Sequence, residues 1–503
     1  MEESDQKEKK RKGGAEIKIV PVPSALGEIK NNISISSNIE NKPSKKQIIN
    51  QAFKFHSEGN IQEATKYYQL FIDEGFKDFR VFSNYGVILK NHGYLHEAEI
   101  SYRKAIDLNP HYAPAHSNLG NILIDIGKLD EAELFIRKAI KLKPDLANAH
   151  YNLGLIFRDL GKLKEAEISY QKAIELKPNH YDACFNLGWL QLLRGEYQSG
   201  LENYEFRFKI KKAITHANTK LKQINNKKLK KGEKILVVSE QGFGDTLQYM
   251  RYVPYLKTLG LDISFCAQRK LHSLIKSSKI DSSPLTPEEA SEVLEGKWIP
   301  LLSLPKYLKV SPNNPIISEP YIFPTKELKK KWENILSKEK RPIIGINWQG
   351  NPNIENQTPL QGRSLPLETF STLAKNKNYN FLSLQKGFGS EQLDHCSFKN
   401  KFVECQPQVD VTWDFLENAA IIENCDLIIT SDTSIAHLAG GIGKSTWLLL
   451  NHFPEWRWGI EGKSTFWYPS MRLFRQKERH NWGEMMERVS NQLNIRYGSK
   501  ICN

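Results

Sequence analysis

The sequence predicts an α + α/β protein, a helical solenoid followed by a two-lobed α/β half. Three observations predict it. Glycine recurs at 59, 93, 127, 161 and 195, a fixed spacing that implies stacked helical units. From Lys234 the pattern changes to short apolar strands, KILVVSE and DISFCAQ, with helical stretches such as TLQYMRYVPYLKTLG and RKLHSLIKSS between and after them. After Arg341 a second such series begins: PIIGINW, PLETFSTLAKNK, NFLSLQ, FVEC, DFLENAAIIENC, DLIITSD, TSIAHLAGGIG, STWLLLN and MRLFRQ. Two successive series predict two lobes facing a cleft.

Composition bounds the classes. At about 100 to 200 residues per domain, 503 residues correspond to three or four folding units. A hydrophobic fraction of 40% with 25% charged residues excludes a coiled coil and a largely disordered chain. No apolar run reaches the roughly 18 residues of a spanning helix, so no transmembrane segment is expected. The start, MEESDQKEKKRKGG, is charged where a secretory signal needs an apolar stretch, and a cytoplasmic location is expected. The six cysteines form no CxxC pair, which fits neither a disulfide framework nor a zinc site. A net charge of +14 invites a nucleic-acid reading. Ten of the lysines, however, fall between Lys209 and Lys234 with one acid, Glu233, and such a block reads as a solvated linker. This argues against a nucleic-acid partner, with linker contact to nucleic acid or an anionic membrane as the secondary reading.

The expected organisation is a disordered N-terminal tail at 1–44, repeats at 45–214 and a basic linker at 215–233. An N-terminal lobe follows at 234–325 and a C-terminal lobe at 326–503. Within the repeats, GYLHEAEISYRKAIDLNP, GKLDEAELFIRKAIKLKP and GKLKEAEISYQKAIELKP are nearly superimposable. Small Ala98, Ala132 and Ala166, and again Ala105, Ala139 and Ala173, let paired helices approach closely. Pro110, Pro144 and Pro178 stop the second helices. The flanking units are looser, and GEYQSGLENYEFRF ends in aromatics as a terminal cap does. These units resemble the tetratricopeptide repeat, an α-solenoid whose groove takes a protein or peptide. Asn84, Asn118, Asn152 and Asn186 keep the period on the first helix of each unit. Such amides either clamp a peptide backbone through donor and acceptor together or hydrogen-bond neighbouring helices. Both readings stand at this point.

Three loops at strand ends carry the chemistry. Gln241, Gly242, Gly244 and Asp245 lie in QGFGDT, where a strand gives way to a helix. The glycines allow close backbone approach, and Asp245 caps the helix, serves an acceptor, or does both. Asp432, Thr433, Ser434 and His437 open a helix after an apolar strand, a position suited to phosphate, with an ordinary cap at Asp432 as the alternative. Arg363 precedes a helix, and its forked donors match a diphosphate. GKST at 443–446 imitates a phosphate loop, but it leaves a helix for a strand and position 438 is leucine.

GFGDTLQYMRYVP, INWQGNP with RSLP, FLSLQKG and SDTSIAHLAGGIGKSTWLLL, in this order, resemble glycosyltransferase family 9, in its form fused to tetratricopeptide repeats. The resemblance spans about residues 234 to 490. It implies a GT-B fold, a double Rossmann-like domain with the acceptor on the N-terminal lobe and the nucleotide sugar on the C-terminal lobe. It further implies inversion at the anomeric carbon with no metal and no cofactor, the nucleotide-diphosphate sugar being the donor substrate. Asp245 corresponds to the acceptor-side base; Arg363, Lys386, Asp432, Thr433, Ser434 and His437 correspond to the donor side. Ser434 stands where that family usually has glycine. EWRWG at 455–459 and FWYP at 466–469 read as a buried aromatic cluster, with the stacking of a base or sugar on aromatics and arginine as the alternative. The rival reading is a repeat scaffold whose transferase-like half is inactive.

Overall fold

The structure is a computed structural model that describes residues 43–210, 215–224, 229–355, 362–479 and 481–498. All but the last two residues of the expected tail lie outside them. The chain divides into two compact units, one ending at Leu160 and the other beginning at Gly161.

The described part of the first unit is helical: α1 (Lys45–Ser57), α2 (Ile61–Asp73), α3 (Phe79–Asn91), α4 (Leu95–Leu108), α5 (Ala113–Asp125), α6 (Leu129–Leu142) and α7 (Ala147–Asp159). The periodic glycines end the first helix of each pair with φ of 74–84°, a left-handed turn that a Cβ would strain. Ala98, Ala105, Ala132 and Ala139 are fully buried where paired helices cross.

The second unit opens with α8 (Leu163–Leu176), α9 (Tyr181–Leu193) and α10 (Tyr197–Tyr204), the last running into a 3-10 turn, Glu205–Phe208. Two parallel sheets follow. The first contains β1 (Lys222–Gln223), β2 (Lys234–Val238), β3 (Asp262–Cys266) and β4 (Lys297–Pro300) in the order β1-β4-β2-β3. The second contains β5 (Ile343–Asn347), β6 (Asn380–Ser383), β7 (Leu427–Ser431), β8 (Thr446–Leu450) and β9 (Met471–Arg475) in the order β6-β5-β7-β8-β9. β5, β7 and β8 are buried throughout, as strands covered on both faces are.

Local chemistry explains where elements depart from the sequence pattern. TLQYMRYVPYLKTLG forms two helices, α11 (Phe243–Tyr249) and α12 (Tyr252–Thr258), because Pro254 has no N–H to bond back to Met250. FVEC makes only a bridge, Phe381 to Phe402. Beside it the Gln406 amide accepts from Ser383 N at 2.8 Å and donates to Ser383 O at 3.1 Å, occupying the positions a paired strand would use. The basic linker is partly sheet: β1 pairs with Lys297 and Trp298, and Ile224 is buried.

The last repeat ends the solenoid by packing into the α/β core. Trp189, Leu192, Leu193, Leu201 and Tyr204 belong to the same core as residues of both sheets. Trp189 stacks on Phe453 at 5.4 Å, and Tyr204 meets Trp456 edge-on at 6.0 Å. The aromatics that end GEYQSGLENYEFRF therefore supply the α/β core. A separate cluster, including Trp348, Trp447, Met485 and Met486, is closed by α14 (Trp482–Tyr497), with α13 (Ser434–Ile442) lying between β7 and β8 in the chain.

Candidate functional site

The functional candidates of the α/β part all follow the carboxyl ends of parallel strands: Asp245 after β2, Arg363 after β5, Lys386 after β6, and Asp432 to His437 after β7. In parallel sheets this edge is where ligands bind. α11 and α13 bring two of these loops together. A Cβ on Gly244 would lie 2.8 Å from His437 Cδ2, so only glycine permits this approach. The close neighbour of Gly244 is thus a side chain of α13, the helix that follows β7 of the other sheet.

Asp245 does two jobs. Its Oδ2 accepts from Gly242 N at 2.9 Å, the capping role the sequence allowed. Its Oδ1 pairs with Arg457, 212 residues away in the loop after β8. Arg457 also bonds Tyr249 through Nε at 3.1 Å and pairs with Glu455 at 3.1 Å. Glu455 accepts in turn from Arg457 N at 2.9 Å, capping the short turn that presents the arginine. Burial pushes the Glu455 carboxyl up to about 7; Arg457 opposes the rise, and Asp432 adds to it.

Asp432 is buried. Burial raises its carboxyl, against the pull of Arg363 and the Trp458 indole. It is not the helix cap: Thr433 holds that position, and no side chain caps the helix. Thr433 Oγ1 instead donates to Asn347 Oδ1 at 2.8 Å, and Ser434 is half-buried. Arg363 Nε stands 3.9 Å from Glu355 and, buried, has no hydrogen-bond partner among the described residues. Lys386 donates to Val409 O, and burial lowers its amine to about 8. His437 bonds Tyr468 and stacks on Trp458 at 5.4 Å. Burial, then the charges of Arg457, Arg251 and Arg363, hold the imidazole well below its usual range.

Gln241 takes φ of 60° and reaches Tyr204 OH at 3.4 Å. Beneath it Arg207, 3% exposed, bonds both oxygens of Glu240 at 3.1 and 2.9 Å, and Ser303 at 2.7 Å. The end of the repeat region thus grips the residue before the QGFGD turn.

In the repeats, Asn84 donates to Tyr68 OH at 3.3 Å, Asn118 is half-buried, and Asn186 donates to Asp182 O at 2.9 Å. Asn152 is buried, bonding Ser117 O at 3.4 Å and Asn121 at 3.3 Å. Its amide serves the neighbouring helix α5.

The tetratricopeptide repeat description matches residues 79–112, 101–133, 147–180 and 169–202, and a TPR repeat description matches 120–157. Residues 79–202 carry tetratricopeptide repeats. Among solved structures, MamA residues 41 to the end from Desulfovibrio magneticus RS-1 is 22% identical, covering 32% of this chain and 91% of that one at a TM-score of 0.29. A thermophilic TPR protein of Thermus thermophilus is 18% identical over 32% and 89%, with a TM-score of 0.29. Pseudomonas aeruginosa pilF is 21% identical over 32% and 74%, also at 0.29. No curated protein matches the chain.

Arg457, Glu455, Arg251 and Tyr468 were not among the sequence-expected site residues. The available signal was charge inside aromatic segments, Glu and Arg in EWRWG and Arg in MRYVP, since a charge buried among rings needs a partner. Among the described residues no group of three His, Cys, Asp or Glu side chains is disposed to hold a metal, and no helix is long and apolar enough to cross a membrane.

Proposed function

We propose that the α/β part is a GT-B-type glycosyltransferase moving a sugar from a nucleotide-diphosphate donor, while the repeats hold a protein or peptide partner. The observation that carries this reading is the convergence of Asp245, Arg457, Glu455, Asp432, Arg363 and His437 at the carboxyl ends of two parallel sheets. Arg363 and the N-terminus of α13, which no side chain caps, suit a diphosphate leaving group. Asp245 is the proton acceptor for the acceptor hydroxyl, which requires Arg457 to release it when substrate enters. All these side chains are mostly buried and Gly244 rests on His437, so entry also requires the QGFGD turn to move off α13.

A second reading is a repeat scaffold with an inactive α/β half, favoured by the commitment of both Asp245 oxygens to Gly242 and Arg457. Mass detection of a transferred sugar separates the two. Under the transferase reading Asp245→Asn loses about a hundred- to ten-thousand-fold in turnover while keeping donor affinity. Wild-type turnover in this variant removes Asp245 from the chemistry and leaves it a cap.

A further inference from the structure

β9 is the outer strand of its sheet, and a cleft of about 620 Å³ lies along it. The turn at 460–463 forms one wall, tied to the strand by Leu473 N donating to Lys463 O at 2.9 Å. Arg488, Asn491 and Gln492 of α14 form another. The volume is that of a small-molecule site. None of the lining residues belongs to the candidate site described above.

The polar lining is rich in donors. Lys463, Arg472, Arg475, Lys477 and Arg488 contribute positive charge against one acid, Glu461. Some of these cations are already engaged. Arg475 donates to the carbonyls of Trp458, Gly459, Glu461 and Gly462, and Lys477 and Arg488 share Glu484 at 2.9 and 2.8 Å. Lys463, exposed, has no partner for its ammonium among the described residues. Arg472 is held by the rings of Trp447 and Phe474, 5.8 and 5.0 Å from their centres, and by Gln492 Oε1, which accepts from Nη1 at 2.7 Å. It has no carboxylate partner among the described residues.

Gln476 supplies an independent sign of a missing acceptor. It lines the cleft and is 5% exposed. Its Oε1 accepts from His452 N at 3.0 Å, and since a backbone N–H only donates, this bond fixes which end of the amide is oxygen. The other end, Nε2, is buried and has no acceptor among the described residues. A buried donor left without an acceptor is costly, so this one marks a place for a ligand oxygen.

We infer that this cleft binds a small phosphorylated molecule, its phosphate held by Arg472, Lys463 and Gln476. Two charges without acid partners match a phosphate dianion better than a single carboxylate, and a guanidinium fork fits phosphate oxygens. The room beyond a phosphate takes the body of the molecule. The inference does not rest on the transferase reading.

The test is calorimetric titration of the full chain with inorganic phosphate, glucose 6-phosphate and, as the neutral control, glucose. Glucose 6-phosphate should bind more tightly than inorganic phosphate, and glucose should not bind. Arg472→Gln should lose about tenfold or more in affinity for glucose 6-phosphate. Gln476→Glu keeps the acceptor for His452 N but sets a negative charge beside the phosphate, and should lose at least as much. Lys463→Gln, at an exposed position that leaves the fold intact, should also weaken binding and decides the matter where either of the others unfolds. Arg363→Ala, in the separate donor site, should bind as the wild type does. No binding of either phosphate compound at millimolar concentration, or unchanged affinity in Lys463→Gln, overturns the site. Loss in Arg363→Ala alone assigns the phosphate to the donor site and overturns it equally. Tighter binding of a phosphoserine peptide than of glucose 6-phosphate overturns the small-molecule assignment.

Discussion

At the scale of single residues, Glu455 gives the site its pH dependence. Its carboxyl sits near 7 in the folded chain and in the ordinary glutamate range once unfolded. Between those values the folded state binds more protons, so this group's contribution is fully present at low pH and is lost as pH rises through about 7. His437, displaced downward by burial, acts in the opposite sense, losing stability as pH falls below about 6.5. Subtracting Glu455→Gln isolates the first effect. The stability of wild type minus that of Glu455→Gln should fall between about pH 4.5 and 7, by at most about 1.4 kcal/mol per pH unit, and be flat outside that window. Denaturant unfolding across pH checks this, and a difference that rises with pH contradicts it. The placement of Asp245 and of the Asp432 to His437 turn was legible in the sequence because polar residues opening a helix after an apolar strand are a local pattern, while the roles expected of them came from the family resemblance. Arg457 was not legible, because its partner Asp245 lies 212 residues away and only the packing of two sheets brings them together.

At the scale of elements, the helix pairs were readable from period alone: small residues at the crossings, prolines at the ends and glycines at the turns each act within one unit. What the asparagines do was not readable, since it depends on the neighbouring helix. Asn152→Ala removes a buried amide bonded to Ser117 and Asn121, and should cost about 1–3 kcal/mol. Asn118→Ala, at a half-buried position, should change stability by less than about 0.5 kcal/mol and is the cleaner probe of partner capture. Equal melting points for the two variants contradict this. The last repeat reads as a terminal cap because its sequence departs from the repeat pattern and ends in aromatics. Their burial against Phe453 and Trp456 needs the α/β part in place. Arg207→Met leaves Glu240 buried without its cation, and should destabilise by about 3–5 kcal/mol. It should also speed amide exchange at residues 239–242, the turn that Glu240 and Tyr204 hold. Unchanged exchange there would mean that the arm does not position the turn.

At the scale of the whole molecule, helical repeats followed by parallel sheets followed from two periodicities, and the sheets emerged at KILVVSE, DISFCAQ, PIIGINW, NFLSLQ, DLIITSD, STWLLLN and MRLFRQ. β1 and β4 were hidden. Two residues in a lysine-rich linker and four between loops carry too little pattern to be read without their partners. On the function proposed above, a nucleotide-diphosphate sugar binds where these strands end, with Arg363 facing its diphosphate. The most direct measurement is thermal unfolding of the full chain with a panel of nucleotide sugars, beside Arg363→Ala. At least one donor should raise wild-type stability, by about 2.7 kcal/mol at a hundred times its dissociation constant, and Arg363→Ala should lose most of that rise. No rise with any donor at millimolar concentration, or an equal rise in the variant, would contradict it.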